Sequence, residues 1–253
     1  MPNTSAALAD DRRGHRLWVR LSHWIIACSI LTLLFSGILI FMVHPRLYWG
    51  EVGNDLVPAI LEIPITDNHR PEGWERTVSF GEAANQAYSA NRLYDIFNNN
   101  GFARSLHFLA AWCLLLAALY YVVAGLVSGH VRQNLLPRPA QVKPSILWED
   151  LRQHLRPVVG SSGGGPPYGV LQRLTYIGVV FVALPLMVFT GLCMSPAVTA
   201  AYPGLLDFFG GYQSARTLHF FGFSALVLFI VVHVAMVLAT GLIRQLRAMT
   251  LGS

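Results

Sequence analysis

Four long apolar runs separated by polar connections set the pattern of this chain. The first, Trp24 to Val43, is twenty residues without a charge, and a helix of that length crosses about 30 Å of hydrocarbon. Comparable runs recur, and they predict membrane helices over about 21–43, 105–128, 171–194 and 216–241. The expected fold is an all-α membrane protein, a four-transmembrane-helix bundle forming a single membrane domain over 1–253. Basic residues precede the first run, as in a signal peptide. However, the run exceeds the usual apolar core of about 7–15 residues, and no small-residue cleavage site follows it. The third run holds Pro185, which predicts a kink that membrane helices tolerate.

The connections differ from one another. Residues 44–104 form a polar stretch with eight acids and five arginines, several prolines, and Trp49 and Trp74. A connection this long has a task of its own or is disordered, and its aromatic residues favour an ordered docking surface. Residues 129–168 are basic and include the tract Gly160-Ser-Ser-Gly-Gly-Gly-Pro-Pro167. No Gly-Lys-Ser/Thr follows it, so it reads as a linker rather than a phosphate loop. The tail from Met1 to Arg16 is polar, and His15 lies there among charges.

Composition agrees with the pattern. The chain is 54% hydrophobic and 12% charged, against about 25% charged in soluble domains. The net charge is +5, without a basic patch interleaved with aromatics, which argues against a nucleic-acid partner. Cys28, Cys113 and Cys193 fall in apolar segments and form no CxxC or CxxCH. The usual zinc and c-type haem signatures are therefore excluded, and the three read as small packing residues. Four spans put both termini on one side. The two tails, the 129–168 connection and Arg173 carry twelve of the eighteen basic residues and four acids, whereas the other side has six basic residues and nine acids. The positive-inside rule then makes the termini cytoplasmic and 44–104 the outer loop.

Histidines in the spans carry the candidate chemistry, because a buried imidazole in lipid is costly without a partner. On span four, His219 and His233 are fourteen residues apart. That is about four turns on one helix face, roughly 21 Å along the axis. With the topology above, His23 matches the depth of His233 and His107 that of His219. Each pair joins two helices, and no carboxylate lies within the spans to complete a zinc site, which takes about four ligands. Six-coordinate haem iron needs two axial ligands, so two haem b groups held by His23 with His233 and by His107 with His219 are the expected metal centres.

Arg20, Arg104 and Arg216 each precede one of these histidines by three residues, one turn nearer the membrane surface. There they would meet haem propionates, or simply snorkel to the interface. Gly37, fourteen residues after His23, lies at the depth of the outer pair, where a missing side chain admits a macrocycle or a neighbouring helix. His44, His69, His130 and His154 fall outside the spans and read as solvated or loop residues.

These residues resemble the prokaryotic cytochrome b561-like superfamily, which includes nickel–iron hydrogenase b-type subunits, formate dehydrogenase gamma subunits and thiosulfate-reductase-type cytochromes. The resemblance extends from Arg16 to Gly241. It rests on His44-Pro-Arg-Leu-Tyr-Trp-Gly50, Tyr168-Gly-Val-Leu-Gln-Arg173, Pro185-Leu-Met-Val-Phe-Thr-Gly191 and the two-histidine fourth helix. It implies a diheme subunit of the bacterial inner membrane that passes electrons between the quinone pool and a periplasmic redox partner, often a molybdoenzyme. It also implies a quinone near the inner haem, beside the start of span three. There the family often shows Tyr-Asn followed by Gln, whereas this chain has Tyr168, Gly169 and Gln172. Gln172 and His233 are the candidate quinone contacts. Two other readings compete: a stand-alone diheme superoxide:quinone oxidoreductase, and a haem-free membrane anchor or transporter.

Overall fold

The computed structural model describes residues 16–54, 57–63, 100–129, 131, 136–137, 141–155 and 169–252, without the side chains of residues 100 and 153–155. Trp74, His15, His69, His130, Tyr168, the 160–165 glycine tract and the His154 side chain, all named above, lie outside the described residues.

Four helices are long and apolar enough to cross a membrane: Leu17–Val43, Gly101–Val127, Val170–Cys193 and Tyr212–Thr250. The first is α1 (Leu17–Val43) and the second lies in α2 (Asn100–Val127). Between them a two-residue strand, β1 (Arg46–Leu47), pairs antiparallel with β2 (Leu61–Glu62). α3 (Pro144–Leu155) precedes the third span. That span runs as α4 (Val170–Gly178), a π-helical turn Val179–Ala183, and α5 (Leu184–Cys193). Pro185 lacks an N–H and its ring crowds the carbonyl four residues back. The π turn directly before it is the irregularity that the proline predicts, since a π-bulge is one way a helix absorbs such a residue.

Short helices α6 (Pro196–Ala201) and α7 (Gly204–Phe209) lead to α8 (Tyr212–Thr250). Helical geometry in α8 breaks at Gly241, whose φ of 106° and ψ of 92° suit a residue without Cβ. The apolar span therefore stops where the sequence pattern stops, and the basic tail that follows is a separate helical piece. Indole Nε1 of Trp24 donates to the carbonyl of Met249 at 3.0 Å, tying that tail to the start of α1.

Hydroxyls inside the spans bond to their own helix. Ser22 donates to Trp18, Thr32 to Cys28, Ser36 to Thr32, Thr190 to Leu186 and Thr240 to Met236. Such back-bonding satisfies a polar group where water is absent. Large apolar side chains such as Leu31, Trp112, Leu116 and Leu228 are exposed, as expected of surfaces that meet lipid rather than water.

The described residues fall into two compact units. One draws on Met1–Ala27, Leu115–Pro185 and Ser224–Ser253, the other on Cys28–Leu114 and Leu186–Phe223. In the first, α3 is pinned to α4: the Asp150 carboxylate accepts the Leu171 N–H at 2.7 Å. In the second, the segment after α1 is stapled to the start of α8. Gly50 C=O accepts the N–H groups of Gln213 and Ser214, Gly50 N–H donates to Ser214 Oγ, and Thr217 Oγ1 donates to the Tyr48 carbonyl. A Cβ at Gly211 would lie 2.6 Å from the Gly50 backbone, so glycine is required for this approach. Pro45, Leu47 and Tyr48 are buried there, and Arg46 is buried with its Nε 2.8 Å from Glu62 Oε1. The His44-to-Gly50 segment is thus a cap on α8. His44 stacks on Tyr48 at 5.8 Å and is half-buried rather than solvated.

Candidate functional site

The four span histidines meet in two pairs, one in each unit. In the first unit the rings of His23 (α1) and His233 (α8) have centroids 6.4 Å apart, inclined at 49°. In the second, His107 (α2) and His219 (α8) stand 6.3 Å apart at 59°. Neither pair is close enough to stack or to hydrogen-bond directly. Metal–imidazole bonds run about 2.0–2.1 Å, and a ring nitrogen lies roughly 1.2 Å from its centroid. A linear nitrogen–metal–nitrogen unit therefore separates two centroids by roughly 6.4 Å. Among the described residues no cluster of three or more His, Cys, Asp or Glu could hold a metal ion. Among the described residues each pair offers two imidazoles, a set that fits a metal whose other ligands come from a macrocycle.

The His107–His219 pair is held by matching contacts. His107 Nδ1 lies 2.9 Å from Ser36 Oγ, and His219 Nδ1 lies 2.9 Å from Thr190 Oγ1. A Cβ built on Gly37 would stand 3.5 Å from His107 Cε1, and one on Gly191 would stand 3.5 Å from His219 Cε1. A hydroxyl residue followed by glycine thus flanks each ring, from α1 on one side and α5 on the other. Gly37 was expected at this depth. Thr190 and Gly191 end a segment that carries the family resemblance, without a role there, and Ser36 gives no sequence signal because a hydroxyl bonded to its own helix looks ordinary; only the repeated hydroxyl–glycine pair hints at all of them.

Around the other pair, His233 stacks on Phe229 one turn earlier at 5.8 Å, and Phe229 meets the Tyr176 ring edge-on at 6.3 Å. Gln172 Nε2 donates to the Tyr176 hydroxyl at 2.7 Å. Gln172 is thereby connected to His233 through Tyr176 and Phe229, and Tyr176 joins the candidate set. Gly169 has a local cause: a Cβ there would lie 2.8 Å from Asp150 Oδ1. An asparagine at 169 would collide with the carboxylate that now caps α4.

The three arginines differ. Arg20 is half-buried, and its Nε is buried with no hydrogen-bond partner among the described residues; the same holds for Arg173 Nε. Arg104 is exposed. Arg216 is engaged by the cap, donating to the His44 carbonyl at 2.5 Å and to Gln213 Oε1 at 3.4 Å. Of Arg20, Arg104 and Arg216, Arg20 is thus the one with a buried donor still to satisfy among the described residues.

Membrane-spanning helices that bring histidines together in two pairs are what a b-type cytochrome requires. The chain belongs to the prokaryotic cytochrome b561 family, whose profile matches residues 14–252. Members of that family bind b-type haem, and the chain is a multi-pass membrane protein that works in electron transfer. It is 27% identical over 223 residues, covering 88% of this chain and 89% of the relative, to a protein of Azospira oryzae named putative protein-methionine-sulfoxide reductase subunit YedZ1. No solved structure matches significantly.

Proposed function

We propose that the chain is the diheme membrane subunit that carries electrons between the quinone pool and a redox partner on the outer face of the bacterial inner membrane. The observation that carries this reading is the pair of His–His separations, 6.4 and 6.3 Å. Both match two imidazoles placed to share one iron. His23 with His233 would hold one haem b, and His107 with His219 the other. Bound haem supplies one-electron chemistry at a potential tuned by its axial ligands and surroundings. The protein's part is to orient the imidazoles, keep water away from them and satisfy the propionates. Arg20 suits the last role, because its buried Nε lacks a partner among the described residues and a carboxylate would complete it.

Gln172 and Tyr176 form the candidate quinone contact. Their hydrogen bond supplies a polar edge beside Phe229, which meets Tyr176 edge-on and stacks on His233. Quinone reduction or oxidation moves protons as well as electrons, and the phenol and amide are groups that can hold a carbonyl or hydroxyl there. The partner reading rests on the family and on the name of the Azospira relative, which points to a reductase of oxidised methionine in protein. A periplasmic molybdoenzyme is the partner class that the resemblance implies.

The test is direct. The purified protein should show a reduced-minus-oxidised spectrum of b-type haem with two haems per chain, and a soluble redox protein should co-purify in stoichiometric amount. One haem per chain would defeat the double pairing. A full complement of haem with no partner, and with quinone reduction by superoxide, would favour the stand-alone oxidoreductase.

A further inference from the structure

We propose that Ser36 and Thr190 are positioning residues for the His107–His219 centre: their hydroxyls fix both imidazoles with the proton on Nδ1 and the lone pair on Nε2, and they tune the potential of the iron held there. The proposal rests on the reading that this pair ligates a haem.

A hydroxyl has one proton to donate and lone pairs to accept with. Ser36 Oγ lies 2.8 Å from the Thr32 carbonyl, and Thr190 Oγ1 lies 2.6 Å from the Leu186 carbonyl. A carbonyl oxygen only accepts, so at those distances each hydroxyl proton points to its own helix. The contacts of 2.9 Å to His107 Nδ1 and His219 Nδ1 are then hydrogen bonds only if the imidazoles donate. Nδ1 carries the proton in both rings, and Nε2 is left as the bare nitrogen that a metal requires.

A hydroxyl contact is built twice from different helices, and at His219 the Met187 backbone adds a second hydrogen bond. Ser36-Gly37 on α1 serves His107, and Thr190-Gly191 on α5 serves His219. Both hydroxyl residues have no exposed surface, so neither bond competes with water. The glycines keep the Cε1 edge, next to Nε2, free of side chain at 3.5 Å in both rings. One hydroxyl bonded to its own helix is ordinary in a membrane span. Two of them, each accepting from a span histidine and each followed by glycine against the same ring edge, make a matched holder.

The expected electronic effect has a definite sign. An acceptor on Nδ1–H raises the basicity of Nε2, which favours ferric over ferrous iron and lowers the potential. Removing the acceptor should raise it.

Ser36→Ala and Thr190→Val test this in the full-length membrane protein, with haem content, a spectroscopic redox titration and the electron paramagnetic resonance of the oxidised protein as readouts. Each variant is expected to keep its haem. One titrating component should move to higher potential by about tenfold in its oxidised-to-reduced ratio, which is 59 mV for one electron. The double variant should move the same component further, and Ser36→Thr and Thr190→Ser should behave like the parent. Haem loss in Ser36→Ala or Thr190→Val that the hydroxyl-retaining exchanges do not show also supports the holder. Unchanged potentials and resonance with haem retained overturn the proposal, as does haem loss shared by all four exchanges, which would mark a packing effect. Failure of the underlying ligand assignment looks different: His107→Ala would keep both haems.

Discussion

The carboxylate of Asp150 accepts the backbone N–H of Leu171 at 2.7 Å, so an amphipathic helix outside the spans caps the first turn of the third span. The first N–H groups of a helix have no partner within it, and inside a membrane protein they need one. Gly169 is the residue that makes room. An asparagine here would bring its own capping oxygen but would drive Asp150 away. Gly169→Asn should therefore lower thermal stability by about 0.5–2 kcal/mol, the range of a lost cap. Combining it with Asp150→Ala should recover most of that loss. Detergent-solubilised unfolding of the two variants checks both statements, and a single substitution without effect would remove Asp150 from this role.

Removing one ligand should separate the two centres. His107→Ala takes an imidazole only from the His107–His219 pair, which lies in a different compact unit from His23 and His233. The variant should lose one of two haems and keep the titration of the other. Loss of both with a folded protein, or loss of neither, would contradict the assignment. Circular dichroism distinguishes either outcome from collapse of the fold.

Much of this was readable from sequence because bilayers leave few solutions. An uncharged twenty-residue run such as Trp24 to Val43 has to satisfy its backbone internally, so a helix follows. His219 and His233, fourteen residues apart, share a helix face, and the alternating direction of the spans then pairs each with a histidine of another helix. The structure brings those residues together. The hydroxyl partners escaped because Ser36 and Thr190 look like any back-bonded residue until a second helix is placed beside them. In sequence Arg216 reads as a partner for a haem propionate or as a snorkelling helix end. Its bond to the His44 carbonyl depends on how the segment after α1 folds back, which periodicity does not encode. The same applies to Gly169, whose reason lies nineteen residues earlier in Asp150.

Topology is testable without haem. The basic tails and the basic 129–168 connection argue for cytoplasmic termini. A reporter cysteine placed in the 160–165 tract should be protected from an impermeant reagent in intact cells and become labelled after permeabilisation. The three native cysteines lie in the spans and give little background. Ready labelling in intact cells would invert the orientation, and with it the side on which a partner docks.

The last prediction concerns that partner. Tyr48 is buried in the cap on α8, yet the adjacent Trp49 is 58% exposed. An exposed indole on a segment otherwise fixed by the hydrogen bonds of Gly50 and Thr217 is a rigid aromatic anchor of the kind that concentrates binding energy. The unit that carries it also carries His107 and His219. The acids and arginines of the 44–104 loop suit an electrostatically steered, moderately polar contact. Trp49→Ala should therefore weaken association with the redox partner by about 2 kcal/mol, roughly thirtyfold in Kd, with haem content unchanged. Trp74, outside the described residues, is the second anchor to test in the same way. The competing role for the loop is a lid that excludes water from the outer haem. In that case the substitutions would lower haem content and leave partner affinity alone. Binding of the partner to nanodiscs carrying each variant, with haem measured on the same sample, decides between them.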